Sequence, residues 1–203
     1  MPTHRFERLA EDRQQRLLEA AADEFAEHGY DAASTNRIAP AAGVSKGSVY
    51  YYFEDKADLY ATVLSRSFAD LAQQIGDLGP VETPADFWRE LEGLSRRAFV
   101  LFSADPRLAA LGRTLYSGPG GAAFSDLTEA VHGWVGRTLD RGRKVGAVRE
   151  DLPTDLLAVS LTSMGMGIDR WFAENWEDLD ADRIASLEQA LLAMMRDLLA
   201  PPG

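Results

Sequence analysis

Apolar residues return at helical spacing along almost the whole of this sequence, and that single pattern excludes most architectures. Leu17, Leu18, Ala21, Ala22 and Phe25 fall on one face between Glu11 and His28, and Gly29 supplies a stop. Ser34 or Thr35 is placed to cap a short helix with Ile38 and Ala39 turned inward, which Gly43 ends. Ser45 caps the next, running to about Phe53. Asp55 then caps a long helix through Leu59, Tyr60, Val63, Leu64, Phe68, Leu71 and Ile75. Five more are expected near Thr83 to Ser103, Pro106 to Tyr116, Gly121 to Lys144, Pro153 to Trp176 and Ala181 to Leu199. Pro84 and Pro153 suit first-turn positions, and Ser117 to Gly121 carries the strongest loop signal. The expected class is all-α, with about nine helices.

A chain of 203 residues can bury a full core as one large domain or as a small one joined to a larger one. Its formal net charge of −11 argues against a general polyelectrolyte binder, so any nucleic-acid contact must be local. With no cysteine and three scattered histidines, the material for a zinc site or a disulfide framework is missing; no metal and no cofactor are expected. The charged stretch Met1 to Gln15 does not read as a signal peptide, and the weakly polar run Leu156 to Ile168 is too short to span a bilayer. A soluble cytoplasmic protein is expected.

The local contact is expected where the acids disappear. From residue 32 to residue 53 there is no carboxylate, although 32 acidic residues in 203 would put roughly three in a window of that length. Inside it lie Thr35, Arg37, Ser45, Lys46, Gly47, Ser48, Tyr50, Tyr51 and Tyr52, with Lys56 just beyond. The chain has three lysines against eighteen arginines, so two lysines at this spot are notable. A short helix, a glycine turn and a second short helix beginning Ser-Lys-Gly-Ser form a helix-turn-helix whose second helix can lead into a major groove. Ser45 and its neighbouring N–H groups can hold a phosphate, and Lys46 adds charge. Gly47 costs roughly 1 kcal/mol against alanine, which makes sense where a side chain would hold the backbone off DNA.

The segment Arg13 to Val63 resembles the TetR family of bacterial transcriptional regulators. The resemblance runs through Ala21-Ala22, Phe25, Gly29-Tyr30, Thr35, Ile38-Ala39, the run Ala42 to Tyr50, Tyr52-Phe53, Lys56 and Leu59. It implies that Thr35, Tyr51 and Lys56 are phosphate contacts and that Lys46, Gly47, Ser48 and Tyr50 lie nearest the bases. Two positions depart from the pattern: Tyr52 stands where histidine is common, and Pro40 falls inside the second helix, removing a backbone bond to Asn36 and disturbing the aim of Arg37. Gly43-Val44-Ser45-Lys46-Gly47 also matches the nucleophile elbow of hydrolases. That chemistry needs a strand before the serine and a histidine downstream to take its proton, and His132 is the sole downstream candidate, so an enzyme is not expected.

Towards the C-terminus Leu157, Leu161, Met164, Ile168 and Trp171 alternate spacings of four and three, as do Ile184, Leu187, Leu191, Met194 and Leu198. These two stripes are expected to form a homodimer seam, in keeping with the family's habit of pairing through its last two helices. Between motif and seam, Phe99, Phe102, Arg113, Tyr116, His132, Trp134, Met164 and Trp171 are candidates for an effector pocket, with Arg96 and Asp169 as further polar anchors. The resemblance therefore implies an N-terminal three-helix DNA-binding module at residues 1–54, its motif at about 34–53, and a larger helical effector-binding and dimerisation domain at 55–203. Helix 55–76 would be the connecting lever. The implied protein is a homodimeric repressor of a palindromic double-stranded operator, released by a small molecule. A regulator without a ligand, whose C-terminal part only dimerises or binds a protein partner, is the alternative.

Overall fold

The computed structural model describes residues 2–117, 121–175 and 178–202; the side chains of residues 115–117, 121–124, 173 and 181 lie outside that description, as does most of the expected loop from Ser117 to Gly121. The described chain is all-helical, with ten helices: α1 (His4–Glu7), α2 (Glu11–Ala32), α3 (Thr35–Ala41), α4 (Lys46–Tyr52), α5 (Lys56–Ile75), α6 (Pro84–Ala104), α7 (Pro106–Ser117), α8 (Gly121–Lys144), α9 (Thr154–Asn175) and α10 (Ala181–Leu199). The tenth is α1, one turn long and carrying a single buried residue, Phe6, which is too short for periodicity to signal.

The helix starts follow their caps. Ser34 Oγ accepts from the Asn36 N–H, Ser45 Oγ accepts from the Ser48 N–H at 3.1 Å, and Asp55 Oδ1 accepts from the Asp58 N–H at 2.8 Å. Asp58 returns the favour by accepting the Glu54 N–H, and Thr83 and Asp86 form the same reciprocal pair ahead of Pro84.

The chain forms two compact units. The first comprises Met1–Gln74 and Phe102–Leu127, so it reaches past the helix-turn-helix to include most of α5 and all of α7. Its core is built from Phe6, Leu17, Phe25, Ile38, Val49, Phe53, Leu59, Tyr60, Leu64 and Leu111. Rings dominate one end: Phe25 and Tyr60 meet edge to face at 4.9 Å, and Tyr30 lies 5.1 Å from Tyr60.

The second unit comprises Ile75–Leu101 and Thr128–Gly203, with Phe87, Leu91, Leu94, Leu139, Val148, Leu157 and Leu199 at its centre. Gly142 has to be glycine there, because a Cβ would stand 2.4 Å from Val148 and 2.9 Å from the Phe87 ring. Two arginines of α8 hold connections: Arg143 clamps the α8–α9 connection by donating to the carbonyls of Arg149 and Leu152 and to Thr154 Oγ1, and Arg141 donates to the carbonyls of Leu78 and Gly79 between α5 and α6. The end of α10 is tied to the α8–α9 connection by the Arg149 N–H on the Leu199 carbonyl at 2.7 Å.

The expected seam needs correcting. Leu157 and Ile184 are buried by their own chain, at 1% and 7% exposure, so they belong to the protomer's core. Leu161, Met164, Ile168, Leu187, Leu191 and Leu198 are half-buried. Of the two seam sets, Trp171 and Met194 are exposed, and they are joined on the surface by Leu156 and Val159, which the seam did not include. A period of 3.6 fixes the width of an apolar stripe but not which of two adjacent stripes faces inward.

Candidate nucleic-acid interface

The geometry of α4 follows from one buried residue. Val49 is 1% exposed and points into the core, so with about 100° per residue Gly47 and Tyr51 both lie about 160° from it, one turn apart on the outward face. Ser48 and Tyr50 flank that face, each about 100° from Val49. Tyr50 and Tyr51 are exposed while Tyr52 turns back to pack its ring 6.2 Å from Phe6, as expected for three consecutive tyrosines that cannot share a face.

The turn before α4 is set by Gly43, whose φ of +69° is a left-handed value that glycine adopts without cost. Its N–H donates to the Pro40 carbonyl at 3.1 Å and the Val44 N–H to the Ala39 carbonyl at 2.9 Å. Pro40 therefore sits in the exposed last turn of α3, where its missing N–H removes one bond without breaking the helix. At the other side of the turn Ser45 Oγ caps α4 and shares a 2.8 Å hydrogen bond with Ser48 Oγ. The start of α4 thus presents exposed Ser45, Lys46 and Gly47 and a helix end without acid in its first turn.

Three of the expected contact residues turn out to hold the module together. Thr35 is buried, and its hydroxyl lies 3.0 Å from the Tyr50 hydroxyl, which fixes the Tyr50 ring from behind. Arg37 places its Nε 2.8 Å from Glu24 Oε1 and donates a further bond to the Ala32 carbonyl, so its charge is matched within the chain. Lys56 spends all three ammonium hydrogens on the carbonyls of Tyr30, Asp31 and Ala33, at 2.7, 3.1 and 3.1 Å, with its Nζ 4.5 Å from the Tyr30 ring centre. An ammonium with three filled donor sites caps the end of α2; it has no donor left for a phosphate.

Glu24 is the residue that the sequence reading missed. It is buried on α2 and accepts both Arg37 and the Ser34 N–H, the latter at 2.8 Å, so it anchors the start of α3. Burial works to raise its carboxyl, but the bonds from Arg37 and Ser34 outweigh that and hold it below the usual carboxylate value. An acid inside the apolar stripe Ala21-Ala22-x-Glu24-Phe25 was the available signal.

Other expected sites are spread between the two units. Phe99, His132, Trp134, Met164 and Trp171 belong to the second, Phe102 and Arg113 to the first, and the Tyr116 side chain lies outside the described residues. Trp134 packs on the second unit's core with its indole N–H on Asp77 at 2.8 Å. Among the described residues no cluster of His, Cys, Asp or Glu could hold a metal ion, and no helix is long and apolar enough to cross a membrane.

Residues 17–63 match the family model described as bacterial regulatory proteins, tetR family. The chain is 26% identical to the HTH-type transcriptional repressor AcnR of Corynebacterium diphtheriae, over 86% of this chain and 88% of that one. It is 38% identical to the HTH-type transcriptional repressor SCO4008 of Streptomyces coelicolor over 47% of this chain and 45% of that protein. The fold is like that of the transcriptional regulator FadR from Bacillus subtilis, crystallised in complex with stearoyl-CoA, with a TM-score of 0.72 at 18% identity over 89% of this chain and 96% of that one. With a capped recognition helix turned outward, residues 17–63 form a DNA-binding module of the tetR type, and the chain is similar along most of its length to helix-turn-helix transcriptional repressors.

Proposed function

We propose that the protein is a homodimeric repressor that reads a palindromic operator through α4 and leaves it when a small molecule binds the C-terminal part. The observation that carries the DNA reading is the outward face of α4. Glycine and tyrosine stand one turn apart there, the capped start of the helix is free of acid, and Lys46 has no carboxylate partner among the described residues. A backbone bared by glycine can approach base edges closely, and the capped helix start can meet a phosphate.

In this reading Ser45 and Lys46 bind phosphate, Gly47, Ser48 and Tyr50 lie against bases, and Tyr51 borders the backbone. Thr35, Arg37, Glu24 and Lys56 fix the frame that aims them. Dimerisation is supported by the exposed apolar strip Leu156, Val159 and Trp171 on α9 together with Met194 on α10. Exposed Ser160, Ser163 and Gly167 on the same stretch of α9 suit close helix approach. Residues 1–54 are assigned to DNA and 55–203 to effector and dimer, with α5 as the lever. Its first half is fixed in a core by Leu59, Tyr60, Val63 and Leu64, so a ligand acting on its far end would turn a rigid body.

Selection of binding sites from random DNA, followed by titration of the selected duplex with candidate ligands, tests the whole reading. A palindromic site released by a ligand supports it, and no enrichment above random sequence overturns it. An acyl thioester is the first ligand to try, because a protein of this fold binds one.

A further inference from the structure

The first ten residues lie outside both the helix-turn-helix and the family match, which begins at residue 17. The structure nevertheless fastens them to the recognition helix. Phe6 is fully buried with its ring 4.8 Å from Phe53, the Thr3 N–H donates to the Tyr52 carbonyl at 3.0 Å, and the Thr3 hydroxyl donates to the Tyr51 carbonyl at 3.4 Å. A one-turn helix cannot persist alone, so these contacts are what hold α1 in place.

Their effect is to fix a cation. Arg5 precedes the buried Phe6 and is itself exposed, and its guanidinium carbon stands 4.5 Å from the centre of the Tyr51 ring. Tyr51 belongs to the outward face of α4, opposite Val49. The nearby acid does not neutralise Arg5: Glu7 pairs with His4 at 3.3 Å, and among the described residues Arg5 has no carboxylate partner. A guanidinium lying on an aromatic face keeps its edge N–H groups available, and those edges match phosphate oxygens.

We propose that Arg5 is a DNA-phosphate contact beside the recognition helix, carried there by α1 and aimed by stacking on Tyr51. The inference rests on the DNA-binding reading above and adds a residue that the motif does not contain. It also gives α1 a purpose. Burying Phe6 converts a floppy terminus into an arm that delivers one positive charge to the interface of a chain with net charge −11.

The test uses the full-length protein and the duplex that the wild type selects, with affinity measured across a range of salt concentrations and phosphate contacts mapped by ethylation interference. Arg5→Ala should weaken binding by about three- to tenfold, flatten the salt dependence by about one unit for each arm engaged, and erase interference at one phosphate per half-site while leaving the preferred base sequence unchanged. Arg5→Lys should retain most of the slope, because the charge remains. In a Tyr51→Leu background the further loss from Arg5→Ala should shrink, since the stacking platform is gone. An Arg5→Ala protein with wild-type slope and interference pattern overturns the proposal while wild-type binding keeps the DNA reading intact, and equal losses in both backgrounds overturn the role given to Tyr51. Failure of the wild type to bind any duplex removes both.

Discussion

The hydroxyl oxygens of Thr35 and Tyr50 lie 3.0 Å apart, so the first residue of α3 holds the middle of α4 across the glycine turn. The buried threonine orients an exposed ring. Tyr50→Phe and Thr35→Val should each cost about 1 kcal/mol or less of stability, and together little more than either alone. Tyr50→Phe should also change the preferred base at one position per half-site. Urea unfolding of the two variants and their double, with binding-site selection on Tyr50→Phe, checks this; additive losses with an unchanged site would dissociate the pair from recognition.

The two lysines of the motif should separate. Lys46 is exposed, and Lys46→Ala should leave stability unchanged while weakening DNA binding and shallowing its salt slope by about one unit or less. Lys56 is occupied by three carbonyls, so Lys56→Met should cost about 1–3 kcal/mol of stability and lower DNA affinity through a loosened α2 end. Melting temperatures beside salt titrations decide between them. A Lys56→Met protein of normal stability with a shallower slope would return that residue to the phosphate contacts.

Gly47 offers a test in which stability and function move oppositely. A Cβ there would stand 3.8 Å from Ser45 Oγ, so the fold has room for a methyl group. Gly47→Ala should therefore stabilise the module by up to about 1 kcal/mol through helix propensity, while operator affinity falls at least tenfold as the methyl meets DNA. Equal affinity for both proteins would mean that this face does not approach the bases.

The ion pair of Glu24 with Arg37 carries a pH signature. Its folded carboxyl is held below the ordinary value of 4.5, so its stabilising contribution is complete above that value and is lost as pH falls through the folded one. Glu24→Gln should be less stable than wild type at pH 7 and approach it in acid. Unfolding curves at pH 7 and at about pH 3 measure the convergence; a constant gap would point to packing as the cause.

Dimerisation should depend on the outer strip of α9 and α10. Val159→Asp with Met194→Asp places charge on exposed positions, so the protomer should remain folded, become monomeric and lose tight binding to a palindrome. Leu157→Asp places charge in the protomer's core and should unfold it, since such burial costs several kcal/mol. Light scattering with circular dichroism distinguishes these outcomes, and a folded dimer from the first variant would move the interface elsewhere.

Local chemistry determined much of this protein without tertiary help. Caps at Ser34, Ser45, Asp55 and Thr83, helix-breaking Gly43 and the 3.6-residue recurrence of apolar side chains act within a few residues, so the helices and the outward presentation of Gly47 and Tyr51 can be read in order from the chain. What the tertiary structure alone decided is which of two suitable partners each side chain takes. Lys56 and Arg37 carry the right charge for a phosphate, yet Lys56 meets carbonyls 23 to 26 residues away and Arg37 a carboxylate 13 residues away. Leu157 and Val159 are equally apolar, yet the rotation of α9 against its neighbours buries one and exposes the other. The anchoring of α1 through Phe6 depends on Phe53, 47 positions later, a contact that no local pattern encodes because it exists only once α4 has folded back beside it.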